Sequence, residues 1–184
     1  MDEQAQEIKA EPWNDLPTSP ARLFVFFDEL GIAYQRHEHE AVYTVQESSR
    51  LDAAIPGTHC RNLFLRDKKK RMYLVVAPNE REIDLKKLQA ELNCGRLSFG
   101  SADRLMQYLG IYPGAVCPFA LINDTDHAVQ PVLDKDMMEA ECVNYHPLDN
   151  SMTVGLSPDD LHRFIDFCGH QSQMIDLRDV APHS

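Results

Sequence analysis

Residues 59–76 read HCRNLFLRDKKKRMYLVV, two apolar runs on either side of a charged tetrapeptide. Arg61-Asn62-Leu63-Phe64-Leu65-Arg66 and Met72-Tyr73-Leu74-Val75-Val76 have strand composition, and Asp67-Lys68-Lys69-Lys70 between them has turn composition. The stretch predicts a β-hairpin. Both runs are apolar on both faces over much of their length, which places them inside a sheet rather than at its rim.

Outward from the hairpin, the punctuation is regular. Toward the N-terminus, Pro56-Gly57 stops a helix predicted over Val45–Ala54, which Thr44-Val45-Gln46-Glu47 opens with a capping-box pattern. Before it lie a short strand (Ile32–His37) and a helix begun by Thr18-Ser19-Pro20, with Leu23, Phe24, Phe26, Phe27 and Leu30 as its apolar stripe. Toward the C-terminus, Asp84 caps a helix containing Leu85, Leu88 and Leu92, and Ser101 caps another that ends at Gly110. Strands are expected at Arg96–Phe99, Val116–Ile122, Val129–Leu133, Cys142–His146 and Met152–Leu156. Ser157-Pro158 starts the last long helix, and Met174–Leu177 reads as a final edge strand. Paired strands with helices between them make an α+β (mixed α/β) domain, one curved central sheet surrounded by helices. Residues 1–17 read as a loose tail and 18–180 as the domain.

Composition narrows the function. Of the 184 residues, 43% are hydrophobic and 26% charged, as in an ordinary globular domain. No apolar run is long enough to span a bilayer, and the acidic N-terminus lacks the apolar core of a secretory signal. Five cysteines with no CxxC spacing argue against a disulfide framework or a zinc ribbon, and so for a reducing cytoplasm. A net charge of −11 counts against extensive duplex binding, so DNA is not an expected partner. Positive charge is nonetheless concentrated: nine of the eighteen Lys and Arg fall between Arg61 and Lys87. A solvated turn plus a surface helix accounts for that run on composition alone.

Familiar catalytic signatures are absent: there is no HExxH, GxSxG, GxxxxGK[ST] or GxGxxG. The eight histidines, His37, His39 and His59 among them, show no metal-ligand spacing and read as incidental. Cys60 lies between His59 and Arg61, but neighbours on a strand face opposite ways, so an inert thiol is expected. What remains is a scattered set: Arg61-Asn62, Gly114-Ala115-Val116-Cys117-Pro118-Phe119, and His146-Pro147-Leu148-Asp149-Asn150 followed by Thr153. Each alone is an ordinary strand start or turn. Together they carry chemistry.

That set, with HEAVYTVQES (39–48), HCRNLFLRDKKKRMYLVV (59–76), GIYPGAVCPFALIND (110–124) and NYHPLDNSMTVGLSPDDLHRFI (144–165), resembles the YbaK/prolyl-tRNA synthetase-associated editing domain family. The likeness runs from about Pro20 to Leu177 and is strongest to free-standing prolyl-tRNA editing proteins. It implies a partly closed sheet, no metal or cofactor, and a pocket for the 3′-terminal adenosine of the proline tRNA with its attached amino acid. The expected reaction is hydrolysis of mischarged alanyl-tRNA for proline, in the cytoplasm and beside prolyl-tRNA synthetase. Arg61, Asn62, His146 and Gly114 match the family's catalytic positions. Val45, Leu63, Val116, Phe119 and His146 are expected as pocket walls, with Ala115, Cys117, Pro118 and Asn150 binding substrate and Lys68, Lys69, Lys70 and Arg71 touching tRNA.

The chain departs from the family where Arg61 replaces a lysine. Arginine keeps the charge but cannot act as a general base, so a positional role is expected for it, with the ribose 2′-hydroxyl moving the proton. Two other readings stay open. One is a catalytically silent tRNA- or synthetase-binding module that retains the fold. The other is a deacylase for another small amino acid, such as 2-aminobutyrate, serine, threonine or cysteine.

Overall fold

The computed structural model describes residues 16–182; most of the predicted tail and His183 lie outside that range. The hairpin is present and longer than predicted. Strands β2 (Thr58–Arg66) and β3 (Met72–Pro78) pair antiparallel from Cys60 opposite Pro78 to Arg66 opposite Met72. Every residue of β3 is buried, as expected of an interior strand. The Asp67 carboxylate closes the turn by accepting from the Lys69 and Arg71 amides and pairing with the Arg71 guanidinium at 2.7 Å.

The other strands are β1 (Tyr34–Glu38), β4 (Ser98–Phe99), β5 (Val129–Asp134), β6 (Val143–Tyr145), β7 (Met152–Leu156) and β8 (Gln173–Ile175). They form one mixed sheet in the order β1-β7-β6-β2-β3-β5-β8, with β4 on β2. Pairing is parallel for β6·β2, β3·β5 and β5·β8, and antiparallel elsewhere. The sheet is open, with β1 and β8 at its edges, which corrects the expected partial closure. Its two halves meet only on β2. There, Thr58 and His59 pair with Val143 and Asn144, after which β2 and β6 separate. A two-residue seam lets the halves splay instead of curling until their edges meet.

Helices α1 (Pro20–Glu29), α4 (Ala102–Leu109) and α5 (Pro158–Phe167) cover one face, where Phe27, Phe119 and Phe164 meet edge to face at 5.1–5.5 Å. The opposite face packs Leu65 and Val75 under α3 (Leu85–Glu91) and a 3-10 turn (Leu177–Val180). Ser19, Thr44, Asp84, Ser101 and Ser157 all cap as predicted, each contributing about 1 kcal/mol. Helix α2 (Val45–Ala54) has the predicted bounds and capping box but buries no residue. No described helix is long and apolar enough to cross a membrane.

One predicted strand is absent. Residues 116–122, expected as extended, instead contribute a 3-10 helix over Pro118–Asn123. Pro118 has no N–H for a ladder and presets the first helical turn. The helix buries Pro118 to Leu121 consecutively, so the run carries no alternation to mark it as a strand.

Candidate functional site

The seam between the half-sheets creates the site. Where β2 and β6 part, a cavity of about 60 Å³ opens, lined by Asn62 from β2, His146 just beyond β6 and Thr153 from β7. Helix α2 roofs it with Ser48, Leu51 and Asp52, which share one helical face at i, i+3, i+4. It adjoins a hollow of about 270 Å³ through Leu51, and that hollow adjoins a groove of about 440 Å³ through Ala41 and Val42. The groove is walled by Tyr43, Tyr112, Gly114, Asp149 and Asn150. A larger hollow of about 800 Å³, around Gly57, Cys142 and Gly155, contains none of the predicted site residues.

Polar contacts fix the cavity walls. Asp52 pairs with His59 Nδ1 at 3.1 Å and accepts from Asn79 Nδ2 at 2.7 Å. His59 Nε2 bonds the Ile55 carbonyl at 2.8 Å, so α2 is tied to β2 at two points. His146 Nδ1 lies 2.8 Å from the Met152 carbonyl and must donate to it. Burial, with His39 as a smaller contribution, holds the His146 imidazole below its ordinary pKa of 6.5. The ring is therefore neutral, and Nε2 keeps its lone pair. His39 Nδ1 donates to the Glu40 carbonyl at 2.8 Å, and its Nε2 lies 2.9 Å from the Thr153 hydroxyl. Asn62 Oδ1 is buried and has no hydrogen-bond partner among the described residues. The same holds in the groove for Oδ2 of Asp149, a residue only 1% exposed.

The loop from His146 to Asn150 is held under strain. Leu148 has φ +66 with its side chain fully buried, a conformation that costs a bulky residue on the order of 1–3 kcal/mol. Gly114 has φ +95, which a glycine adopts without penalty, and its position places backbone rather than side chain against the groove.

Of the predicted residues, the structure brings Asn62 and His146 into the cavity and Gly114 and Asn150 into the groove beyond the intervening hollow. Arg61 is elsewhere. Strand alternation sends Cys60 and Phe64 to one face and Leu63 and Leu65 to the other; Arg61 follows the latter and donates to the Arg81 carbonyl at 3.1 Å. Leu63 packs against the second core cluster. Val45 is 84% exposed at the start of α2. Ala115, Cys117, Pro118 and Phe119 are core residues and Val116 packs against that core, because the 3-10 helix turns this segment inward. Lys68, Lys69, Lys70 and Arg71 sit at the far end of the hairpin, roughly 20 Å from Asn62 at about 3.3 Å per residue.

Sequence reasoning missed His39, Ser48, Leu51, Asp52, His59 and Asn79. The spacing of Ser48, Leu51 and Asp52 along a capped helix was the available signal. Cys60 also lines the cavity, where burial pushes its thiol up to about 12, so it is no nucleophile at neutral pH. Among the described residues the carboxylates of Asp134, Asp136 and Asp176 cluster closely enough for a cation. Arg81 and Arg178 already neutralise them.

The family model for the aminoacyl-tRNA editing domain matches residues 39–164, the span that holds α2, the seam and the groove. Prolyl-tRNA editing protein ProX of Acetoanaerobium sticklandii is 44% identical over 151 residues, covering 82% of this chain and 92% of its own. Prolyl-tRNA synthetase associated domain-containing protein 1 of Bos taurus is 38% identical over 153 residues, covering 80% and 89%. A solved structure described as a proposed trans-editing enzyme for prolyl tRNA synthetase superposes with a TM-score of 0.64 at 19% identity, over 86% of this chain and 96% of that one, which shows a shared fold. The chain belongs to the aminoacyl-tRNA editing domain family.

Proposed function

We propose that the protein hydrolyses mischarged alanyl-tRNA for proline in trans, in the cytoplasm and beside prolyl-tRNA synthetase. The observation that carries this reading is a polar cavity of about 60 Å³ linked, by way of a hollow of about 270 Å³, to a groove of about 440 Å³. The cavity exceeds the roughly 10–15 Å³ that one water needs and is far below the roughly 300–1,000 Å³ of a ligand pocket. It suits a group the size of an alanyl side chain and amine. The groove suits the terminal nucleoside: Tyr43 and Tyr112 offer aromatic faces to a base.

The ester then lies at the mouth of the cavity, beside the main chain of the Gly114 turn. Backbone amides there stabilise the negative charge that develops on the carbonyl oxygen, and an aminoacyl ester needs little more than that and a placed water. His146 is neutral and supplies an acceptor, not a charge. The tRNA's own 2′-hydroxyl carries the proton. Arg61 acts by position, through the Arg81 loop that Asp134 and Asp136 anchor. Lys68, Lys69 and Lys70 face acceptor-stem phosphates, whereas Arg71 is committed to Asp67.

The test is deacylation of labelled alanyl-tRNA for proline by the purified protein, with prolyl- and seryl-tRNA as controls. Release of alanine with prolyl-tRNA intact is the expected outcome. Failure to release any of the three, with tRNA binding intact, would sink the enzyme reading in favour of a silent binding module. Release of serine in preference to alanine would move the assignment to another small amino acid.

A further inference from the structure

One hollow in this acidic chain is lined by cations. It measures about 330 Å³ and lies where the hairpin turn meets β4, with Arg66, Lys68 and Arg96 around it beside Asp67, Leu97 and Ser98. Sheet register assembles it. Arg66 stands directly opposite Ser98 on β4, so the two share a face, and Lys68 and Arg96 each follow two residues beyond that pair. Asp67 contributes no spare charge. Its carboxylate accepts from the Lys69, Arg71 and Gly95 amides and pairs with the Arg71 guanidinium. Arg66, Lys68 and Arg96 pair with no carboxylate among the described residues. In a chain of net charge −11, these cations converge on one hollow and repel one another until an anion lies between them.

We infer that this hollow holds a backbone phosphate of the substrate tRNA, with Arg66 and Arg96 as its charged walls and Lys68 as a further cation. The inference rests on the aminoacyl-tRNA reading above and deepens it by naming where the tRNA body is held. Guanidinium groups suit the task, since their forked donors match phosphate oxygens. Position suits it as well. Asn62, Phe64 and Arg66 alternate onto one face of β2, which places Arg66 roughly 13 Å from Asn62 at about 3.3 Å per residue. The phosphate held there belongs upstream of the terminal nucleoside. Such a contact fixes the register of the tRNA on the protein and reads no base.

The experiment measures binding of uncharged proline tRNA against salt for the unmodified protein, Arg66→Gln, Arg96→Gln and the double variant. Lys135→Gln, at the opposite end of the sheet from the hairpin turn, controls for loss of charge alone. Each arginine variant should bind at least about tenfold more weakly, as for one charged hydrogen-bonded contact. Each should also flatten the plot of log K against log salt by about one unit, and the double variant by about two. Arg66→Lys should keep most of the slope. Hydrolysis of alanyl-adenosine, which lacks the upstream phosphates, should proceed at the unmodified rate in every variant. Slopes no flatter than that of Lys135→Gln, with alanine still released from alanyl-tRNA, overturn the inference and leave the editing reading intact. A parallel loss on alanyl-adenosine also overturns it, since the damage is then general. An unmodified protein that neither binds the tRNA at low salt nor releases alanine overturns both.

Discussion

Two helices of this protein have the same length and nearly the same opening, and the difference between them locates the site. Helices α2 and α5 each span ten residues and begin with a hydroxyl cap, Thr44 and Ser157. Helix α5 then buries Leu161, Phe164 and Ile165 in the main core, whereas α2 buries nothing. What holds α2 is polar: Asp52 to His59 and Asn79, and His59 back to Ile55. A capping signal fixes where a helix begins, and burial fixes how firmly it is held. The loosely held helix is the one that roofs the cavity, so opening the site sacrifices almost no apolar contact.

The comparison breaks most visibly in the core. Phe164→Ala should lose about 3–5 kcal/mol in a denaturant titration, while Leu51→Ala on α2 should lose less than about 1 kcal/mol. Equal losses would mean that α2 is packed after all. Next in size is Asp52→Ala, which frees both His59 and Asn79. Its deacylation rate should fall about tenfold, equivalent to about 1.4 kcal/mol, with the unfolding midpoint nearly unchanged. A midpoint drop as large as that of the Phe164 variant would make the clasp a fold determinant.

The two caps allow a finer separation. Thr44→Ala and Ser157→Ala each remove about 1 kcal/mol of capping. The Ser157 loss should appear in global stability, and the Thr44 loss only as faster amide exchange within α2. Smallest is the pH effect. The His146 pKa is depressed in the folded state, so its neutral-state contribution is intact above 6.5 and declines as pH falls through the folded value. Deacylation should be level from pH 8 to 6.5 and fall only below that. A fall already under way at pH 7.5 would contradict a neutral, buried imidazole.

Much of the fold was legible because its signals are local. The Thr44-Val45-Gln46-Glu47 box, the Asp84, Ser101 and Ser157 caps and the 61–76 hairpin each depend on a few adjacent residues. The Gly114–Phe119 segment was legible as important but not in shape, since an uninterrupted apolar run suits either a buried strand or a buried turn of helix. The cavity was beyond local reading. It exists because Thr58 and His59 meet Val143 and Asn144, residues 85 positions further along, and then part from them. His59 matters because that seam puts it beside Asp52, and no spacing within HCRN announces it. That Arg61 lies on the other face from Asn62, against the Arg81 carbonyl, follows for the converse reason: a neighbour in sequence is not a neighbour on a strand face.

The inward turn at Pro118 has one more consequence. By placing Ala115, Cys117 and Phe119 in the core, it leaves Gly114 to face the groove with main chain, the surface that the proposed reading gives to the ester. A surface made of main chain has the same chemistry whatever residues carry it. Alanine scanning of this loop will therefore report on folding and stay silent on recognition, and replacing a peptide N–H with an ester oxygen is the perturbation that reaches it. For the same reason, lineages are free to rewrite these side chains for packing without altering what the loop presents.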